Sequence, residues 1–215
     1  MTNPDDLSRI KTENTFVANI TNKDTLKEYI KSLSPISGQL ESDLEDNQIQ
    51  AGTVTTMQQF FYYFWAKRNP QDPEQGWMDY KAEVDKVNSN YSSLNKRGYD
   101  TDRGRVYLQY GPPNEIFQRY SEPQTFPYEI WHYNTIAKQT DGKFVFYTRN
   151  LTSNDFELIQ SNVNGEFQNP NWVNNLGSDP RSLMYDTKDP NGTNKASSTQ
   201  DDYGSRALEE YNHPK

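Results

Sequence analysis

Gly98-Tyr-Asp-Thr-Asp-Arg-Gly-Arg-Val-Tyr-Leu-Gln-Tyr-Gly-Pro-Pro113 is the stretch where the pattern of this chain changes, and its reading decides the fold. Within it Arg105-Val-Tyr-Leu-Gln-Tyr110 alternates as an extended strand does. Gly111-Pro112-Pro113 ends that strand, because proline neither donates to a ladder nor leaves its predecessor helical. Just ahead of it, Thr101 and Asp102 carry short oxygen-bearing side chains of the kind that bond nearby backbone amides. Arg103 or Arg105 is placed to pair with Asp102, so the segment reads as a fastened corner of the backbone.

Upstream the periodicity is helical. Met57, Phe60, Phe61, Phe64 and Trp65 fall on one face behind Thr55 as N-cap, and Asn69-Pro70 stops the run. Pro73 opens a second helix whose Trp77, Tyr80, Val84, Val87 and Tyr91 form a stripe. Downstream, Tyr128–Tyr133 alternates, Lys143–Thr148 follows a turn at Asp141-Gly142, and Phe156–Gln160 closes the series. The expected fold class is α+β: two packed aromatic helices against a meandering antiparallel sheet of about four strands, with long polar arms at both ends. Residues 1–52 read as a polar N-terminal arm with one short amphipathic helix, Leu26 to Leu33, capped by Asp24. Residues 53–165 form the core. Residues 166–215 read as an extended or disordered C-terminal arm whose sparse anchors are Trp172, Leu183, Tyr185, Tyr203, Leu208 and Tyr211.

Composition narrows the function classes. Only 32% of the 215 residues are hydrophobic, but 15 Tyr, 10 Phe and 4 Trp allow a smaller folded part to bury large rings. A net charge of -8 argues against a nucleic-acid partner, which needs clustered Lys and Arg. The longest apolar run, Phe60 to Trp65, is far short of the roughly 20 residues a membrane span requires. The absence of cysteine removes thiol nucleophiles and disulfides, and two histidines far apart in sequence make a zinc site remote. No cofactor is implied.

The run Thr101-Asp-Arg-Gly-Arg-Val-Tyr107, joined to Tyr110-Gly-Pro-Pro113 and followed by Pro127-Tyr-Glu-Ile-Trp-His-Tyr133, resembles the GWxTD-domain proteins, found chiefly in Bacteroidota and their relatives. One departure is that Tyr99 stands where the name-giving Trp would be. The resemblance implies an envelope or secreted location, with a removed signal and an upstream domain; it implies no established activity. A looser likeness, a Gly-x-Pro turn after a helix pair and a Trp-x-Tyr strand, is similar to the small lipoproteins that accompany the outer-membrane barrel-assembly machine, which are binding accessories.

Three readings of the distinctive residues stand side by side. In the first, Tyr99, Asp100, Thr101, Asp102, Arg103, Arg105, Trp131, Tyr133 and Trp172 belong to a non-catalytic module that binds another envelope protein or complex. In the second, Asp100, Asp102 and Glu129 surround a cleft and hydrolyse a glycan or peptide. In the third, Trp131 and Tyr133 face outward and stack on sugar rings; the bland alternative puts both in the core. Asp100-x-Asp102-x-Gly104 hints at calcium, but an EF-hand loop needs its glycine at the sixth position and an acid at the twelfth, and this run has neither.

Overall fold

The structure, a computed structural model, describes residues 7–122, 125–177 and 205–212. They fall into two compact units divided at Asn90 and Tyr91.

The first unit is helical: α1 (Lys23–Lys31), α2 (Gln39–Ala51), α3 (Val54–Arg68) and α4 (Pro73–Tyr91, closing at the unit boundary). Asn22, not Asp24, caps α1, its Oδ1 accepting from the amides of Asp24 at 2.8 Å and Thr25 at 3.0 Å. Thr53, not Thr55, caps α3: its hydroxyl accepts from the Thr56 amide and its amide donates to the Thr56 hydroxyl. The aromatic face of α3 is where the sequence places it, with Phe61 edge-on to Trp77 of α4 at 4.8 Å.

The expectation of a polar arm before residue 53 needs correction. Val17, Leu26, Ile30 and Leu33 are buried in the same core as Phe60, Phe61 and Phe64. The buried amide of Gln58 donates to the carbonyls of Val17 and Ile20, and Tyr80 donates to Ser32 O at 2.6 Å. A low average hydropathy conceals this because the apolar residues are few but correctly spaced. Two helices carrying so many rings cannot cover them by pairing with each other, so the preceding segment supplies the missing side. α2 has an inverted pattern, with Leu40 65% exposed and Glu45 buried.

The second unit holds α5 (Asp102–Tyr110) and an antiparallel sheet of β1 (Glu115–Arg119), β2 (Tyr128–Ile136), β3 (Gln139–Tyr147) and β4 (Glu157–Ser161), in that order across the sheet. The fold is α+β with four strands, but not the four expected. Arg105–Tyr110 is helical, and β1, absent from the sequence reading, takes the first place. Six alternating residues are too few to separate periods of two and 3.6. What decides is Thr101, whose hydroxyl accepts from the Gly104 amide at 3.1 Å and so starts a helix with Arg103, Val106, Tyr107 and Tyr110 on one side. Gly111 then ends it at φ +84. The β2–β3 turn lies at Ala137 and Lys138, both at positive φ, rather than at Asp141-Gly142. Gly142 is needed inside β3, since a Cβ there would lie 2.1 Å from Ile136.

Both sheet faces are covered. Trp131, Tyr133, Phe144 and Phe146 pack with Val106, Tyr107 and Tyr110 of α5 and with Tyr91. Tyr128, Ile130, Val145 and Ile159 pack with Trp172 and Leu176 around α6 (Trp172–Asn175) and with Ala207 and Tyr211 of α7 (Ser205–Asn212). The α3 face with Trp77 and Tyr80 of α4 is therefore spent in the helical core, whereas Tyr91, α5 and the C-terminal helices serve the sheet. The C-terminal arm is corrected in the same way. Trp172 and Tyr211 meet in a tilted ring pair with centroids 5.2 Å apart against the sheet, while Leu208 stays exposed; Leu183, Tyr185 and Tyr203 lie outside the described residues.

Candidate functional site

The densest polar constellation lies where α5 meets the sheet. Its centre is Glu129, on β2 opposite Phe146 and 2% exposed, with Arg103 on α5, 3% exposed. Arg103 Nη1 donates to Glu129 Oε1 at 2.9 Å, and its Nη2 donates to the carbonyl and the side chain of Asn154 at 2.9 and 2.6 Å. The guanidinium also lies over the Phe156 ring at 4.0 Å and the Tyr91 ring at 5.2 Å. Glu129 Oε1 also accepts from the Tyr120 hydroxyl and from Gln118 Nε2 at 3.3 Å, and its Oε2 accepts from Trp131 Nε1 at 3.0 Å. Three donors thus converge on Oε1 and one on Oε2, so the buried charge is met from four directions. Burial, reinforced by the Glu129 charge, pushes Tyr91 up to about 12 and raises Tyr120 as well, so both phenols keep their protons.

The rest of the motif fastens neighbouring elements. Thr101 caps α5 and donates to Gly98 O at 2.7 Å, and Tyr99 is buried beside it in a short 3-10 turn. Asp102 Oδ2 accepts from the Leu158 amide of β4 at 2.7 Å, a backbone contact in place of the expected arginine partner. Arg105 grips Glu166 with two bonds of 2.9 and 2.8 Å, and Tyr110 adds a third at 2.7 Å. Burial works to raise the Glu166 carboxyl, but these donors outweigh it and hold it below the usual range. Asp100 is exposed on the turn.

The carboxylates expected around a cleft are therefore apart in role: Asp102 holds β4, Glu129 is enclosed by donors, and Asp100 faces solvent. Trp131 and Tyr133 are buried, with the Tyr133 hydroxyl donating to Gly111 O at 2.9 Å, so they form no outward platform. Trp172 is likewise a core residue of the opposite face. Among the described residues no three His, Asp or Glu side chains are grouped as a metal ion would need. A smaller polar cluster joins His132 Nε2 and Lys143 Nζ to Asp141 at 2.9 and 2.8 Å; the remaining ring nitrogen of His132 is buried without a hydrogen-bond partner among the described residues.

Sequence reasoning missed Asn154, Tyr120, Phe156 and Glu166. Asn154 left a faint signal, since asparagine is favoured at the left-handed φ of +54 that it adopts. Glu166 follows Gly165 at φ +89, but its partner lies 61 residues away.

The site and fold thus define an α+β module whose signature residues hold a helix to a sheet. Its family follows: the model of the GWxTD domain matches residues 8–176, and the chain belongs to that family. The match reaches back across residues first read as an arm, in keeping with their place in the helical core. A comparison with curated proteins found no match, and one with solved structures found none.

Proposed function

We propose that this chain is a non-catalytic protein-interaction or scaffolding module of a bacterial cell-envelope assembly, periplasmic or associated with the outer membrane, and that its partner is another envelope protein or complex. The observation that carries the reading is the enclosure of Glu129: only 2% exposed and accepting from Arg103, Tyr120, Gln118 and Trp131, it is engaged in joining α5 to the sheet and is shut off from any substrate. The envelope location rests on the family resemblance. No helix among the described residues is long and apolar enough to cross a membrane.

Side chains free to meet a partner cluster at one corner of the second unit. Leu94 and Leu151 are 75% and 46% exposed on two loops joined by a bond from the Leu94 amide to Ser153 O. A photo-reactive residue at Leu94 or Leu151, installed in the native organism, tests the proposal. One envelope protein should be captured from both positions and from no control site on α2. Absence of any adduct, together with turnover of a glycan or peptide that Glu129→Gln abolishes, would replace the proposal with a hydrolase.

A further inference from the structure

The two edges of the sheet are treated differently. On β4, Asp102 occupies the Leu158 amide, the Phe167 carbonyl accepts from the Ser161 amide, and Gln160 Oε1 accepts from the Asn169 amide. On β1, no strand other than β2 lies alongside among the described residues. An open edge is a template for another strand.

The sequence of that edge is complementary to itself. Antiparallel pairing of Glu115-Ile-Phe-Gln-Arg119 with a second copy, centred on Phe117, sets Glu115 against Arg119 in both directions and Ile116 against Gln118. Residues opposite one another in such a pair have Cβ atoms about 5 Å apart, within reach of an ion pair. Glu115, Phe117 and Arg119 share a face, since they pair with His132, Ile130 and Tyr128.

A second observation points the same way. On the other face Ile116 is 42% exposed and Tyr120 39%, leaving apolar surface beside the edge.

We propose that β1 is a self-association edge: two copies of this chain pair antiparallel through β1 about a two-fold axis at Phe117, joining their sheets and bringing Glu115 of each onto Arg119 of the other. Backbone bonds between two strands of five residues make a small interface, so the dimer is concentration-dependent. This inference does not rest on the envelope reading, because it concerns the purified chain alone.

Sedimentation equilibrium of the full chain over a range of concentrations tests it. The wild type should approach about 50 kDa, twice the 25.1 kDa chain. E115R, and R119E made with E210Q because Arg119 also pairs with Glu210, should each stay monomeric, since each sets like charges opposite one another. Mixed in equal amounts, the two should dimerise, because every cross-pair is then complementary. Ile116→Lys, at an exposed position that leaves folding intact, should weaken the wild-type dimer at least tenfold. A wild type that remains monomeric at every concentration overturns the proposal, as does a dimer unaffected by E115R and Ile116→Lys.

Discussion

Arg103 and Glu129 are 26 residues apart in sequence and 2.9 Å apart in the structure, both almost wholly removed from water. Two charges so buried are tolerated only when their remaining hydrogen-bonding capacity is met, and here Asn154, Tyr120, Gln118 and Trp131 meet most of it. Removing one partner strands the other. Arg103→Met should lower the stability of the second unit by about 3–5 kcal/mol, and adding Glu129→Leu should recover most of that loss. Thermal or denaturant unfolding of the singles and the double gives the coupling.

The cap predicts a smaller effect. Thr101→Ala removes the acceptor for the Gly104 amide and the donor to Gly98 O, so α5 should lose about 1–2 kcal/mol. Thr101→Ser keeps the hydroxyl and should retain most of the stability, which circular dichroism during unfolding would show.

The pH response of the helical unit should be set by two glutamates of α2. Burial, with the charges of Glu41 and Asp46 nearby, pushes Glu45 up to about 7 against the pull of the Ser37 hydroxyl. A carboxyl whose folded value lies above its unfolded value stabilises most below about 4.5, and that contribution is lost as pH rises from there toward 7, by roughly 3 kcal/mol. Burial also works to raise Glu41, but bonds from Arg68, the Gly38 amide and Lys67 hold it down at about 2. Its contribution is present above 4.5 and lost as pH falls toward 2. Melting temperature should therefore peak near pH 4.5 for these groups, and Glu45→Gln should flatten the decline on the alkaline side.

The C-terminal helix should matter to the sheet. Ending the chain after residue 204 removes Ala207 and Tyr211 from the face over Tyr128 and Ile130 and breaks the bond from Gln160 to the Tyr211 hydroxyl. Hydrogen exchange of β2 and β3 amides should quicken, corresponding to roughly 2–3 kcal/mol of lost burial. Unchanged exchange would show that α7 is not part of the folded unit.

What could be read beforehand was what repeats within one element. The aromatic stripe of α3, the α4 stripe behind Pro73 and the alternating β2 are dense local patterns, and they lie where their periodicity puts them. The errors came where tertiary context decides between equal local options. Arg105–Tyr110 alternates as a strand does, yet the Thr101 cap and the sheet beneath make it a helix. Leu26, Ile30 and Leu33 look like a minor amphipathic piece until the uncovered rings of α3 are counted. In the candidate site, the sequence reading gave Asp102 nearby amides and an arginine, but its partner is the Leu158 amide of a distant strand; that bond, like the Arg103–Glu129 pair, depends on tertiary placement that no short-range pattern encodes.

The most direct test is amide exchange across β2 and β4 in Asp102→Asn and Glu129→Gln, measured beside the wild type. If these carboxylates serve as fasteners, exchange should accelerate at Leu158 in the first variant and along Tyr128 to Tyr133 in the second, with affinity for a cross-linked partner falling only as the fold loosens. Wild-type protection in both variants, together with loss of a chemical turnover, would contradict the account.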